Sequence, residues 1–310
     1  MKKIFASIAV LMIAAGSIYA QDLAAVTELF NNGAAQLSSD KAGALKLFEQ
    51  ALTAAEALGE EGQEIVGKCK DNIPTISLAI AKDFIKGSEL DKALTQIDAA
   101  IEVAKKFESE AVVAEAEKLI PQVLNQKAST LLNNKDYAGA ADVYKKLLAS
   151  DATNGTAALR LGVALNGAGD IEGAKAAFEQ AAQNGQAATA NKQLSNIFLK
   201  DAAAALKAKK FADAVAAAVK VTELDPKNAQ AFQVAGQASQ LGGKNADAIK
   251  YFEKYLELAP TAKNAGAISY TVGALYQGLK NNAKAKEFYT KASTDSQYGA
   301  EAKKLLEMLK

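Results

Sequence analysis

The sequence has no histidine and no tryptophan, a single cysteine (Cys69), a single arginine (Arg160) and four prolines. Each scarcity removes a class of chemistry. Without histidine, the commonest general base near neutral pH and the commonest metal ligand are both missing. One cysteine excludes an internal disulfide, a cysteine-based zinc site and an iron–sulfur cluster. One arginine argues against bidentate reading of phosphates or base edges, so nucleic acid is not an expected partner. What remains is a chain of 310 residues, 50% hydrophobic and 23% charged, with a formal net charge of +1. That composition can bury a sizeable core and lies far from the disordered range.

The chain begins with Lys2 and Lys3, then an apolar run from Ile4 to Ala15 interrupted by Ser7, then Gly16-Ser17 and Ile18-Tyr19-Ala20. This is the order of a secretory signal peptide over residues 1–20, and it predicts cleavage after Ala20 with Gln21 as the new N-terminus. The apolar run is too short to span a bilayer comfortably. No later stretch reaches about twenty apolar residues, so no integral membrane segment is expected after cleavage. The expected location is periplasmic or secreted. An exported chain with one cysteine must be held by packing and not by disulfides. Its charge is uneven: residues 21–120 carry eighteen acidic and ten basic side chains, residues 121–310 seventeen and twenty-four. That asymmetry reads as solvated helix faces, or as oppositely charged ends that steer a partner.

The chain also repeats. From Ala229 to Ala262, Gly236 precedes Ala248 by twelve residues, and Phe252, Tyr255 and Pro260 follow at intervals of four, three and five. The same frame recurs from Gly155, with Leu161-Gly162, Ala174, Phe178 and Ala181, and from Ser195, with Phe198, Phe211, Ala214 and Asp225-Pro226. Further copies start at Pro121 (Leu124, Tyr137, Ala140, Tyr144) and near Gly266 (Gly273, Tyr276, Ala285, Tyr289, Ala292). Weaker ones start near Ala25 and at Pro74. This pattern resembles the tetratricopeptide repeat, a helix–turn–helix unit of 34 residues, across nearly all of the chain after residue 20. No unit has tryptophan at the fourth position, where the family pattern has an aromatic residue.

The resemblance implies an all-α, right-handed solenoid of helical hairpins with about seven helix pairs and a C-terminal capping helix. The physical reasoning runs the same way. A lone helical pair cannot bury its apolar stripe, so pairs stack; small residues such as Gly162 and Gly236 permit close approach, and Phe178 and Phe252 fill the seams. Spacings between successive units are 49, 47, 34, 40, 34 and 37 residues. The first two predict longer helices, with Pro74 and Pro121 inside them as kinks. The expected organisation is residues 21–120 as N-terminal repeats with long helices, 121–299 as regular repeats and 300–310 as the capping helix.

Little in the chain suggests catalysis, and neither enzyme activity nor a cofactor is expected. Cys69 lies between Lys68 and Lys70, which could lower its pKa, but no histidine is present to activate it. Glu60-Glu61 and Glu108/Glu110 fall at helix ends. Gly242-Gly243-Lys244 lacks the remaining spacing of a phosphate loop and reads as a hairpin tip. Asn154-Gly155-Thr156 reads as a turn between units.

The stronger signal is a face. In the repeats that this chain resembles, positions 2, 5, 9 and 12 of each first helix line a concave groove. Carried over, they give Gln122, Asn125 and Ser129; Asn166; Asn196; Gln230, Gln233, Gln237 and Gln240; and Tyr270 and Gln277. Such a groove is amide-rich and nearly uncharged, and side-chain amides can pair with a peptide backbone or with sugar hydroxyls. The expected function is a non-catalytic scaffold of the cell envelope that holds an extended peptide or partner protein. The alternative is a carbohydrate- or small-ligand-binding envelope protein, for which Tyr270 is the evident aromatic platform.

Overall fold

The computed structural model of the protein describes residues 22–309. The expected signal peptide, with its Ala20–Gln21 cleavage point, and Lys310 lie outside them. No strand occurs among the described residues. The chain divides into two compact units, one through Lys127 and one from Ala128. The first unit contains α1 (Leu23–Gln36), α2 (Lys41–Ala57), α3 (Gln63–Lys86), α4 (Leu90–Lys106) and most of α5 (Glu110–Asn133). The second takes in the end of α5, α6 (Tyr137–Ser150), α7 (Gly155–Ala168), α8 (Ile171–Ala181), α9 (Ala187–Lys207) and α10 (Phe211–Leu224). It continues with α11 (Ala229–Leu241), α12 (Asn245–Leu258), α13 (Ala265–Gly278), α14 (Asn282–Ala292) and α15 (Gly299–Met308).

Within the first unit, α1 packs with α2 and α3 with α4. Within the second, α7 packs with α8, α9 with α10, α11 with α12 and α13 with α14, and α15 lies against α14. This is the helical-hairpin repeat expected from the spacings, with its terminal helix. The long helices are present as well. Pro74 and Pro121 sit inside α3 and α5, and each helix runs twelve residues beyond its proline. Proline removes one intrahelical hydrogen bond at each site, and packing of the buried Pro74 retains α3.

Helix starts are set by short polar side chains. The carboxylates of Asp40, Asp136 and Asp170 each accept from a first-turn amide at 2.9 Å. Asn154 and Asn228 do the same at 2.9 and 3.1 Å. Each cap is worth about 1 kcal/mol. Within most hairpins the turn passes through a left-handed residue. Glycine fills this place at Gly169 (φ 86°) and Gly243 (φ 74°), whereas Ser88, Lys135, Lys209 and Lys280 hold it with a side chain at φ near 60°. The side-chain-bearing residues cost about 1 kcal/mol each there.

The core repeats one contact. Phe48, Phe178, Phe252 and Tyr289 are buried, each on the second helix of its pair. Facing them on the first helices are Gly33, Gly162, Gly236 and Gly273, whose missing Cβ leaves room for the ring. Burying each ring stabilises the fold by about 2–3 kcal/mol. In the first unit, Phe48 also meets the edge of Phe30 at 5.0 Å and packs with Ile65, Val66, Cys69 and Ile73.

Candidate amide-rich face and a cleft beside it

The composition of α11 decides which way its glutamines point. Ala231, Ala235, Gly236, Ala238 and Ser239 form its buried side. Steps of three, four and three residues place Gln230, Gln233, Gln237 and Gln240 together on another side. Gln230, Gln237 and Gln240 are exposed and Gln233 is half-buried. Among the described residues, none of the four side chains makes a hydrogen bond. Some amides elsewhere are spent internally: Gln96 donates to Ser77 at 2.9 Å, Gln180 to the carbonyl of Ala152 at 2.9 Å and Gln36 to Asp40 at 2.9 Å. The α11 face therefore presents unspent donors and acceptors together, the set that pairs with an extended backbone.

Asn196 is exposed on α9, which approaches α11 directly, and Asn166 is exposed near the end of α7. Gln122 and Asn125 are exposed on the part of α5 that belongs to the first unit. Three expected groove residues are engaged in packing. Ser129 is half-buried, with its hydroxyl 3.4 Å from that of Tyr144. Gln277 accepts from the Tyr289 hydroxyl at 2.7 Å. The ring of Tyr270 stacks on Tyr298 at 4.9 Å and tilts against Tyr289 at 5.7 Å. Tyr298, between α14 and α15, thus takes one face of the aromatic platform read from the sequence.

Cys69 is fully buried, and burial pushes its thiol up to about 11. The flanking lysines do not act on it: Lys68 turns to Glu64 at 2.6 Å and Lys70 to Glu56 at 3.9 Å. Among the described residues, no cluster of side chains could hold a metal ion. No described helix is long and apolar enough to cross a membrane.

A cleft of about 760 Å³, without a signal in any motif, opens between α12, the loop 259–264, the start of α13 and α14. Its α12 wall carries Glu253 and Glu257, and its α14 wall carries Lys284, Glu287 and Lys291. Glu287 accepts from Lys284 at 2.9 Å and from Lys291 at 2.8 Å. The bond from Lys284 and then that from Lys291 hold the Glu287 carboxyl below the usual range. Glu253 accepts from the Tyr276 hydroxyl at 2.8 Å; burial, reinforced by this bond, pushes that phenol up to about 12. The interval from the unit at 229 to that at 266 is 37 residues, but spacing alone does not say which side chains a junction gathers.

Sequence profiles of the tetratricopeptide repeat match residues 131–197, 199–263 and 267–294, together just over half of the chain. No curated protein sequence matches it. Solved structures with a similar fold include that of MamA protein, at 18% identity over 59% of this chain and 96% of that one, with a TM-score of 0.36. YrrB, described as a TPR protein with an unusual peptide-binding site, is 23% identical over 57% of this chain and 88% of its own, with a TM-score of 0.32. The TPR domain of P58(IPK) is 15% identical over 92% of this chain and 97% of its own, with a TM-score of 0.30.

Proposed function

The chain belongs to the tetratricopeptide-repeat family, and we propose that it is a non-catalytic scaffold, exported to the cell envelope, that holds an extended peptide or a partner protein. Contact runs along the amide-rich face of α11, with Asn196 on the adjacent α9 extending it. The observation that carries this reading is the set of four glutamines on one helical face whose side chains make no hydrogen bond among the described residues. An extended segment has alternating N–H and C=O groups, and each glutamine can answer either. The scarcity of charge on this face suits a partner recognised through its backbone, since charged side chains would instead select charged partners. Concave solenoid faces are the usual binding surfaces of such repeats, which adds general support.

Export rests on the lysines, apolar run and small residue of residues 1–20. N-terminal sequencing of the protein recovered from the envelope fraction should begin at Gln21, and a retained Met1 contradicts export. For the face itself, Gln233→Glu with Gln237→Glu places two carboxylates against a partner's carbonyls. Capture of the native partner should fall, while the urea midpoint stays where it was. Undiminished capture would remove α11 from the interface.

A further inference from the structure

We propose that the cleft between α12, α13 and α14 is a second binding site, built for a small neutral polyhydroxylated ligand of the size of a mono- or disaccharide. The inference stands apart from the reading of α11, since it rests on different helices and different chemistry.

The cleft lies at a lengthened junction. Four residues, 151–154 and 225–228, suffice to join α6 to α7 and α10 to α11, whereas α12 and α13 are separated by residues 259–264. The added length draws the junction open, and its volume of about 760 Å³ falls within the range of about 300–1,000 Å³ typical of small-molecule sites.

The lining selects the ligand class by elimination. An apolar ligand is disfavoured, because it would strip water from charged side chains on both walls without replacing those hydrogen bonds. A strongly charged ligand is disfavoured, because four carboxylates are nearly balanced by three lysines. The carboxylates are also already partnered. Besides the bonds to Glu253 and Glu287, Glu257 accepts from Lys254 at 2.7 Å. Asp295 accepts from the backbone amides of Gln297 and Tyr298, both at 2.9 Å. The carboxylates call for no added cation. A hydroxyl group donates and accepts at once, so it can join a carboxylate–ammonium pair at its open side without breaking it or changing its charge. Thr261 and Thr294 add hydroxyls of their own. Phe288 offers no open ring face, since Lys291 sits 4.2 Å from its centroid and the residue is 3% exposed. Recognition is therefore through hydrogen bonds, and the affinity expected is weak.

Saturation-transfer NMR on the full chain tests this, with glucose, N-acetylglucosamine and cellobiose as neutral probes and diglycine as a zwitterionic one. At least one saccharide should show transfer and diglycine none. Glu287→Gln releases both lysines, and Thr294→Val removes a lining hydroxyl. Each should weaken saccharide binding by about tenfold, the loss of one charge-assisted or well-placed hydrogen bond, with the far-UV circular dichroism unchanged. Gln237→Glu should leave the saccharide signal intact, which separates this site from the α11 face. Absence of transfer to every saccharide overturns the proposal. So does binding that neither cleft variant weakens, and so does binding of diglycine in place of the sugars.

Discussion

Substituting Gly236 by alanine tests the packing rule that organises the repeats. The residue lies inside α11, where alanine gains about 1 kcal/mol over glycine in helix propensity. Against that, its Cβ would stand 2.5 Å from Cδ1 of Phe252, with Cε1 at 2.7 Å and Cγ at 2.9 Å. Phe252 is 4% exposed and cannot swing into solvent. The ring or the helix pair must move by roughly 1 Å, and overpacking of this kind costs about 1–3 kcal/mol. So tight a contact belongs near the top of that range, leaving a net loss of about 2 kcal/mol, or about 1 M in urea midpoint for a slope near 2 kcal/mol/M. The same change at Gly67, which lies inside α3 with nothing within 4 Å of the added carbon, should instead stabilise by about 0.5–1 kcal/mol. Gly33→Ala, whose Cβ meets Phe48 at 3.1 Å, should fall between them. Urea titrations followed by circular dichroism give the three midpoints. A neutral or stabilising Gly236→Ala would refute the reasoning. Combining it with Phe252→Leu should recover most of the loss, because the two sites couple directly.

Three further outcomes follow from local structure. Lys280→Gly relieves a left-handed backbone at φ 61° and should raise stability by about 0.5–1 kcal/mol in the same titration. Lys244→Asp places an acceptor at the α12 N-cap, which has no side-chain hydrogen bond now, and should add about 1 kcal/mol; an unchanged midpoint would count against the capping argument. Cys69 has its thiol pushed up from an ordinary 9.0 to about 11, so the folded state holds that proton more tightly than the unfolded one. Its contribution is complete below about pH 9 and is lost as pH climbs through about 11. Native protein at pH 9 should resist iodoacetamide while urea-unfolded protein reacts at once, and equal labelling rates would contradict the burial.

Much of the fold is legible because it is written in intervals. Gly236 and Phe252 lie sixteen residues apart, and so do Gly162 and Phe178 and Gly273 and Tyr289. That interval carries the chain across a turn and back, so the small residue meets the ring. The glutamine face of α11 is equally readable, since helical period alone sorts Gln230, Gln233, Gln237 and Gln240 from the small residues of the buried side. Tyr270 and Gln277 read as groove residues because they share the groove positions of their helix. Tyr289 belongs to the same repeat frame as both, but Tyr298 lies between α14 and α15, outside any unit, so its stacking on Tyr270 has no signal in the frame. The cleft is illegible for a similar reason. Glu253 and Lys291 are ordinary solvated helix residues in sequence, and only the enlarged loop 259–264 leaves open space between their helices. Repeat patterns report what is common to the units, whereas sites arise where one unit departs from the others.

The central claim, that a partner lies along α11, is tested most directly by a photo-activatable cross-linking residue placed at Gln237 in intact cells, with the same residue at Lys250 on α12 as the control. The account predicts a discrete cross-linked partner from position 237, absent from position 250 and lost when Gln233→Glu is added. Identical products from both positions, or none from position 237, would contradict it.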